Sequence, residues 1–348
     1  MDPLDVVRHL VGMQAQLPLN PYVGLWSRVD EFGPAAIDEV GRLLTERQLV
    51  RIVVMRGTIH LLTAEDALLL RPLSQPVLDA ELARHRDLGA VDLDAVITFI
   101  RPLLDERPLT GAQIRALLTD RFPGCDAAEL FFAIRIRLAL VQIPPRGVWG
   151  QSMQVTLANI ETWLGHPLAR PAPDAIDGIV LRYLAAFGPA SVADIAAWSR
   201  LTGQRAVADR LRDRLRVFHD PNGRELFDLA DATIIDPDTP APTRFLPEYD
   251  NVMLSHADRT RVMSEVHRRR LVSPVTPVRG TVLYDGFLTA TWQIENDPTI
   301  GSTTLIVRHA DPMRAGEADE ITAEGLRLLE LMSPGSATHE VRLTQADG

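Results

Sequence analysis

The chain has 348 residues, 46% of them hydrophobic, with 36 Lys+Arg against 46 Asp+Glu and a formal net charge of −10. That length suggests two or three structural units, the single Cys125 excludes an internal disulfide and gives no reason to expect secretion, and no run approaches the roughly 18 apolar residues of a membrane span. Every basic side chain is an arginine and the acidic balance argues against a nucleic-acid partner, although arginine-rich patches such as "RAVADRLRDRLR" and "HRRR" can still engage phosphate through the guanidinium fork.

Over residues 1–75, "PLDVVRHLVGM" and "GPAAIDEVGRLLTE" read as helices, the second with Pro34 in its first turn. The acidic, short apolar start is no signal peptide, so a cytoplasmic protein is expected. "LVRIVVMRGTIHLL" is strand-like with a turn at Arg56-Gly57, and Thr63 caps a short helix. Over 76–170, Asp92 caps a helix, Thr110 and Gln113 form a capping box, "DAAELFFAIRIRLAL" is a third helix, and a Pro-Arg-Gly turn separates two extended pieces. Over 171–236 the order returns: a helix ending at Gly188, a second capped by Ser191 with Asp194, the basic "GQRAVADRLRDRLR", and two strands around Pro-Asn-Gly. Beyond a proline-rich linker, residues 237–348 turn to β-type sequence, with Asp285-Gly286 a hairpin signal and one helix before the last strand. The fold expected is mainly α with β wings: tandem winged helix-turn-helix units at 1–75, 76–170 and 171–236, then a linker and a mainly β, barrel-like C-terminal domain at 237–348.

Several chemistries are absent. The sequence holds no phosphate-binding Walker loop, no GxGxxG after a strand and no GxSxG elbow. Its nine histidines do not pair at zinc spacing. No metal and no cofactor are therefore expected. A winged helix has DNA binding as its default role, with the third helix in a groove and the wing on the backbone. "FFAIRIRLAL" is apolar enough to be a core element instead. Arg205, Arg210 and Arg212 of the basic helix are candidate phosphate contacts, or members of surface ion pairs at helical spacing.

Gln14 and Gln16 stand two apart in "GMQAQ". On a helix such residues diverge, whereas in extended backbone they share a face. If both amides address one site, the first helix must stop around Gly12, and Pro18 and Asn20-Pro21 agree with that. By themselves two glutamines after a helix are ordinarily solvated caps.

Five strings occur in order: "VVRHLVGMQAQLPLNPYVGLWSRV", "LVRIVVMRGTIHLLTAEDALLLRPL", "YLAAFGPASVADIAAWSRL", "FLPEYDNVMLSHADRTRV" and "VRGTVLYDGFLTATW". Together they resemble the AlkZ/YcaQ-type winged-helix bacterial DNA glycosylases over nearly the whole chain. The resemblance implies a concave DNA surface built by tandem winged helices and closed by a C-terminal β-barrel. It implies a monofunctional glycosylase for alkylated purines at N7 or N3, extending in the AlkZ branch to bulky adducts and interstrand crosslinks. The family's catalytic element is Gln, any residue, then Gln or Asp. Gln14 and Gln16 match the Gln form, so the AlkZ side is implied. Arg56 and His60 match a family string beside the active region: they could contact DNA, or be a turn residue and a hydrogen-bonded strand histidine. The resemblance also implies a further basic helix ahead of the Gln pair, for which the residues before Pro3 leave no room. The partner implied is double-stranded DNA with alkylated bases, bound by a monomer, with no membrane. The alternative is a non-catalytic winged-helix DNA-binding protein, a transcriptional regulator.

Overall fold

In the computed structural model, which describes residues 1–85, 88, 91–271 and 278–346, the chain opens on helix α1 (Pro3–His9). Asp2 caps it by accepting a hydrogen bond from Asp5 N at 2.8 Å. The helix then stops where the sequence required. Val11 and Gly12 turn through φ of 54° and 95°, and Gly12 N donates to Val7 O at 2.9 Å. A side chain at Gly12 would be strained by that φ and would meet Leu62 Cδ2 at 2.2 Å. The backbone leaves this turn extended, as strand β1 (Met13–Gln14).

Two compact units follow from the contacts: Met1–Pro21 with Pro34–Ala232, and Tyr22–Gly33 with Thr233–Gly348. The first is built on a six-stranded antiparallel sheet in the order β1-β3-β2-β5-β6-β4. Its other strands are β2 (Leu49–Val53), β3 (Ile59–Thr63), β4 (Leu109–Thr110), β5 (Leu140–Gln142) and β6 (Thr156–Asn159). Strands expected in two separate units thus share one sheet, joined where Arg51 and Ile52 of β2 face Gln142 and Val141 of β5. Every residue of β2 is buried, so a hydrogen-bonding neighbour on both sides is needed to satisfy its backbone.

Helices surround this sheet: α3 (Pro34–Thr45), α4 (Ala64–Leu82), α5 (Leu93–Glu106), α6 (Gly111–Arg121), α7 (Ala127–Arg137) and α8 (Ile160–Leu164). Thr63 caps α4, accepting from Asp66 N at 3.1 Å. That helix runs 19 residues, through Pro72 and Pro76, rather than the short piece expected. Its inward positions, among them Leu70, Leu78 and the buried Arg71, anchor it past both prolines, Arg71 reaching the carbonyl of Ile136 at 2.6 Å. The capping box of Thr110 with Gln113 is present, as is that of Ser191 with Asp194. Helix α7 buries Leu130, Ala133, Ile134 and Ile136, so the "FFAIRIRLAL" stretch is a core element on that face. Helices α9 (Ala175–Phe187), α10 (Val192–Ser199) and α11 (Gln204–Leu211) precede an antiparallel hairpin, β7 (Leu215–His219) and β8 (Glu225–Leu229). Tyr183, Trp198 and Phe227 bury their rings among them, Tyr183 and Trp198 with centroids 4.7 Å apart. Arg182 of α9 forks onto the buried Asp66 of α4, with Nη2 at 2.9 Å from Oδ2.

The second unit holds a five-stranded sheet in the order β13-β12-β11-β10-β9. Its elements are β9 (Arg244–Leu246), α12 (Asn251–Leu254), α13 (Glu265–Leu271), β10 (Gly280–Tyr284), β11 (Phe287–Asp297), β12 (Ser302–His309), α14 (Glu317–Met332) and β13 (Thr338–Gln345). The expected Asp285-Gly286 turn joins β10 to β11, both residues at positive φ. The barrel-like expectation is corrected: among the described residues this is an open sheet, its two ends formed by β13 and β9. Strand β13 runs parallel to β12, a pairing that demands a crossover, and α14 is that crossover. Helix α2 (Asn20–Trp26) contains the unit boundary. Residues 22–33 join the second unit because Val23 enters its core and Arg28 forks onto the buried Asp250 at 2.7 and 3.0 Å. Among the described residues no helix is long and apolar enough to cross a membrane.

Candidate active site

Strand β1 sets the two glutamines. Met13 and Gln14 pair with Leu61 and His60 of β3, and Ala15 N continues the ladder by donating to Ile59 O at 2.7 Å. Gln14 ends the strand, and Gln16 lies two residues on, in a bend past its end. Gln14 is 7% exposed, whereas Gln16 is exposed and lines a cavity of about 380 Å³. The Gln14 carboxamide oxygen accepts from Arg56 Nη2 at 3.4 Å, and that of Gln16 from Ile59 N at 3.4 Å. Both contacts are long for hydrogen bonds, so both oxygens retain acceptor capacity.

Arg56 and His60, expected beside the active region, meet Gln14 directly. Arg56 sits at φ 59° in the tight turn (Met55–Gly57) between β2 and β3. Its Nη1 donates to Trp198 O at 2.5 Å, and its Nη2 lies 2.9 Å from His60 Nε2. His60 Nδ1 is 3.0 Å from Thr58 O. A carbonyl can only accept and a guanidinium can only donate, so His60 carries its proton on Nδ1 and is neutral. Burial, then the Arg56 charge, pushes its pKa down to about 3 against a weaker upward pull from Thr58. Burial and the neighbouring Arg200 push Arg56 down to about 10, which leaves it charged at neutral pH. No carboxylate bonds to Gln14, Gln16 or His60 among the described residues.

Sequence reasoning missed the residue that holds the middle of this strand. Arg51 is 1% exposed, and its Nη2 donates to Ala15 O at 2.9 Å and to Gln142 Oε1 at 3.3 Å. Gly147 passes so close that a Cβ there would sit 2.7 Å from Arg51 Cδ. An arginine inside "LVRIVV" breaks an apolar run, and that was the available signal.

Arg205, Arg210 and Arg212 lie apart from this cluster, on and just after α11, and each is already paired. Arg205 and Arg212 share Glu225 at 3.0 and 2.7 Å, and Arg210 Nε meets Asp177 at 3.0 Å. Hydrogen bonds from Arg212, and then from Arg205, hold Glu225 below the usual carboxylate range.

The two amides thus stand at the edge strand of an antiparallel sheet, Gln14 beside a neutral histidine and a buried arginine. The family description "DNA glycosylase AlkZ-like" matches residues 7–331, and the chain belongs to that family. It is thus a DNA glycosylase, an enzyme of DNA repair that binds DNA and hydrolyses an N-glycosidic bond. In fold it is similar to the Streptomyces sahachiroi DNA glycosylase AlkZ, with a TM-score of 0.76 at 21% identity, covering 99% of this chain and 94% of that one. No curated protein matches the chain.

Proposed function

We propose that the enzyme excises cationic purines alkylated at N7 or N3, and that Gln14 and Gln16 hold the attacking water. The observation that carries this reading is the pair of amides at and just past the end of β1, with no carboxylate bonded to either among the described residues. An alkylated purine of this kind is a cation that becomes neutral as it departs, so it needs little acid assistance. The sugar turns oxocarbenium-like, as in other glycosidic hydrolyses. An amide oxygen can accept a hydrogen bond from water and point its dipole at the growing positive charge. It cannot take the proton as a carboxylate would, so an unactivated base stays in place. Bulky adducts and interstrand crosslinks through N7 fall within the same chemistry.

Helices α9, α10 and α11 with the hairpin β7–β8 support a winged-helix unit, in which the third helix and wing meet DNA backbone. Arg205, Arg210 and Arg212 would then serve phosphate by exchanging it for Glu225 and Asp177. The test is incubation, enzyme in excess, with a duplex carrying one N7-methylguanine, followed by alkaline cleavage of abasic sites. Excision of the lesion with undamaged purines left intact is expected. Bound DNA without product would overturn the reading of the substrate.

A further inference from the structure

The cavity lined by Gln16 lies wholly inside the first unit, and its wall carries three arginines. Arg115 comes from α6, Arg135 from α7 and Arg146 from the connection between β5 and β6. The Phe131 ring is near two of them, 5.5 Å from the Arg115 guanidinium and 5.9 Å from that of Arg135. Arg146 Nε donates to Gln142 Oε1 at 3.1 Å, and its Nη1 donates to the Met153 carbonyl. All of these partners are neutral. Among the described residues none of the three arginines has a carboxylate partner, and none of the cavity's lining residues is acidic. Several other arginines of the surface are instead paired with carboxylates. Arg42 has Glu39 and Glu46, Arg205 and Arg212 share Glu225, and Arg210 has Asp177. In a chain of net charge −10, three guanidiniums lie together with no countercharge. Burial and then Arg146 hold Arg135 below its usual pKa, and burial does the same to Arg146. An anion in the cavity would relieve that repulsion.

We propose that Arg115, Arg135 and Arg146 seat one backbone phosphodiester of the lesion-bearing strand in the cavity beside Gln16. The assignment rests on the chain's being a DNA glycosylase with Gln16 at the scissile sugar. Charge decides what enters: a cationic alkylpurine is repelled by three guanidiniums, whereas a phosphodiester is attracted and matches the arginine fork. A phosphate and its own sugar are covalent neighbours, so fixing one beside Gln16 brings C1′ to the amides. Phosphate contacts of this kind set register without reading sequence. The cavity is a stop that delivers one nucleotide.

The experiment scans a single neutral methylphosphonate along the strand of a duplex that carries one tetrahydrofuran abasic analogue, which fixes the register of binding, and measures affinity by fluorescence anisotropy at several salt concentrations. Wild type is expected to lose about tenfold at a linkage contacted by the three arginines. Arg115→Gln and Arg146→Gln should bind the unmodified duplex more weakly and lose their sensitivity at that same linkage. The slope of log K against log salt should shrink in these variants, by about 0.9 at most, because a single phosphate is neutralised at this seat. Variants that bind as wild type, or that keep wild-type sensitivity at every linkage, would overturn the assignment. Arg115 is exposed, so its variant tests the idea even if a change at Arg146 disturbs folding. The abasic analogue carries no base, so this result stands or falls separately from the choice of lesion.

Discussion

His60 is locked neutral by a donor on one ring nitrogen and an acceptor on the other. With its folded pKa at about 3 against an ordinary 6.5, the unfolded chain takes up a proton below about pH 6.5 that the folded chain refuses. Stability therefore falls as the pH drops from about 6.5 towards 3, by up to about 1.4 kcal/mol per pH unit from this residue. Urea denaturation at pH 7 and pH 5 should show that loss in wild type and a shallower one in His60→Gln. Excision should show no titration of His60 between pH 5 and 8, since neither it nor the amides ionise there. At this scale the end of the first helix before Gly12 was legible from the glycine and the prolines that follow, whereas the Gln pair was singled out by the family resemblance and not by its spacing. Arg51 was not: its role depends on Ala15 and Gln142 arriving from distant segments. Nor were Arg115, Arg135 and Arg146, which come from three elements and share nothing in sequence but their type.

Strand β1 owes its position to what flanks and holds it. Gly12→Ala puts a side chain at φ 95° against Leu62, a cost on the order of 1–3 kcal/mol, and it displaces the start of the Gln pair. A lowered melting temperature and a slower excision rate are both expected. Gly147→Ala acts from behind, pressing on Arg51 and loosening its hold on the Ala15 carbonyl. Comparing the single-turnover rate with the melting temperature should show the rate falling at temperatures where this variant is still folded. In the second unit, Arg28→Ala strips a fork from Asp250, which is 4% exposed. Because Asp250 keeps its bond from Val252 N at 2.9 Å, a loss of about 3 kcal/mol in thermal or urea unfolding is expected. Capping boxes and hairpin turns were readable because their signals are local. The shared six-stranded sheet and the length of α4 were not, since both follow from burial against segments far away in sequence.

Over the whole molecule, charge and topology carry separate lessons. The average of −10 pointed away from DNA, but the side chains segregate: many surface arginines are neutralised by carboxylates, whereas three beside Gln16 are left with neutral partners. Composition reports the mean and cannot report that partition. Among the described residues the C-terminal sheet is open, with β13 and β9 at its ends and α14 carrying the chain between its parallel strands β12 and β13. The family likeness and the sheet together make the Gln pair the centre of the account. Single-turnover excision of N7-methylguanine by wild type, Gln14→Ala and Gln16→Ala, each checked for folding, tests it most directly. Each variant should fold and bind duplex DNA while its rate falls at least about tenfold, the loss of one hydrogen bond to a developing charge. Wild-type rates in both variants would contradict it.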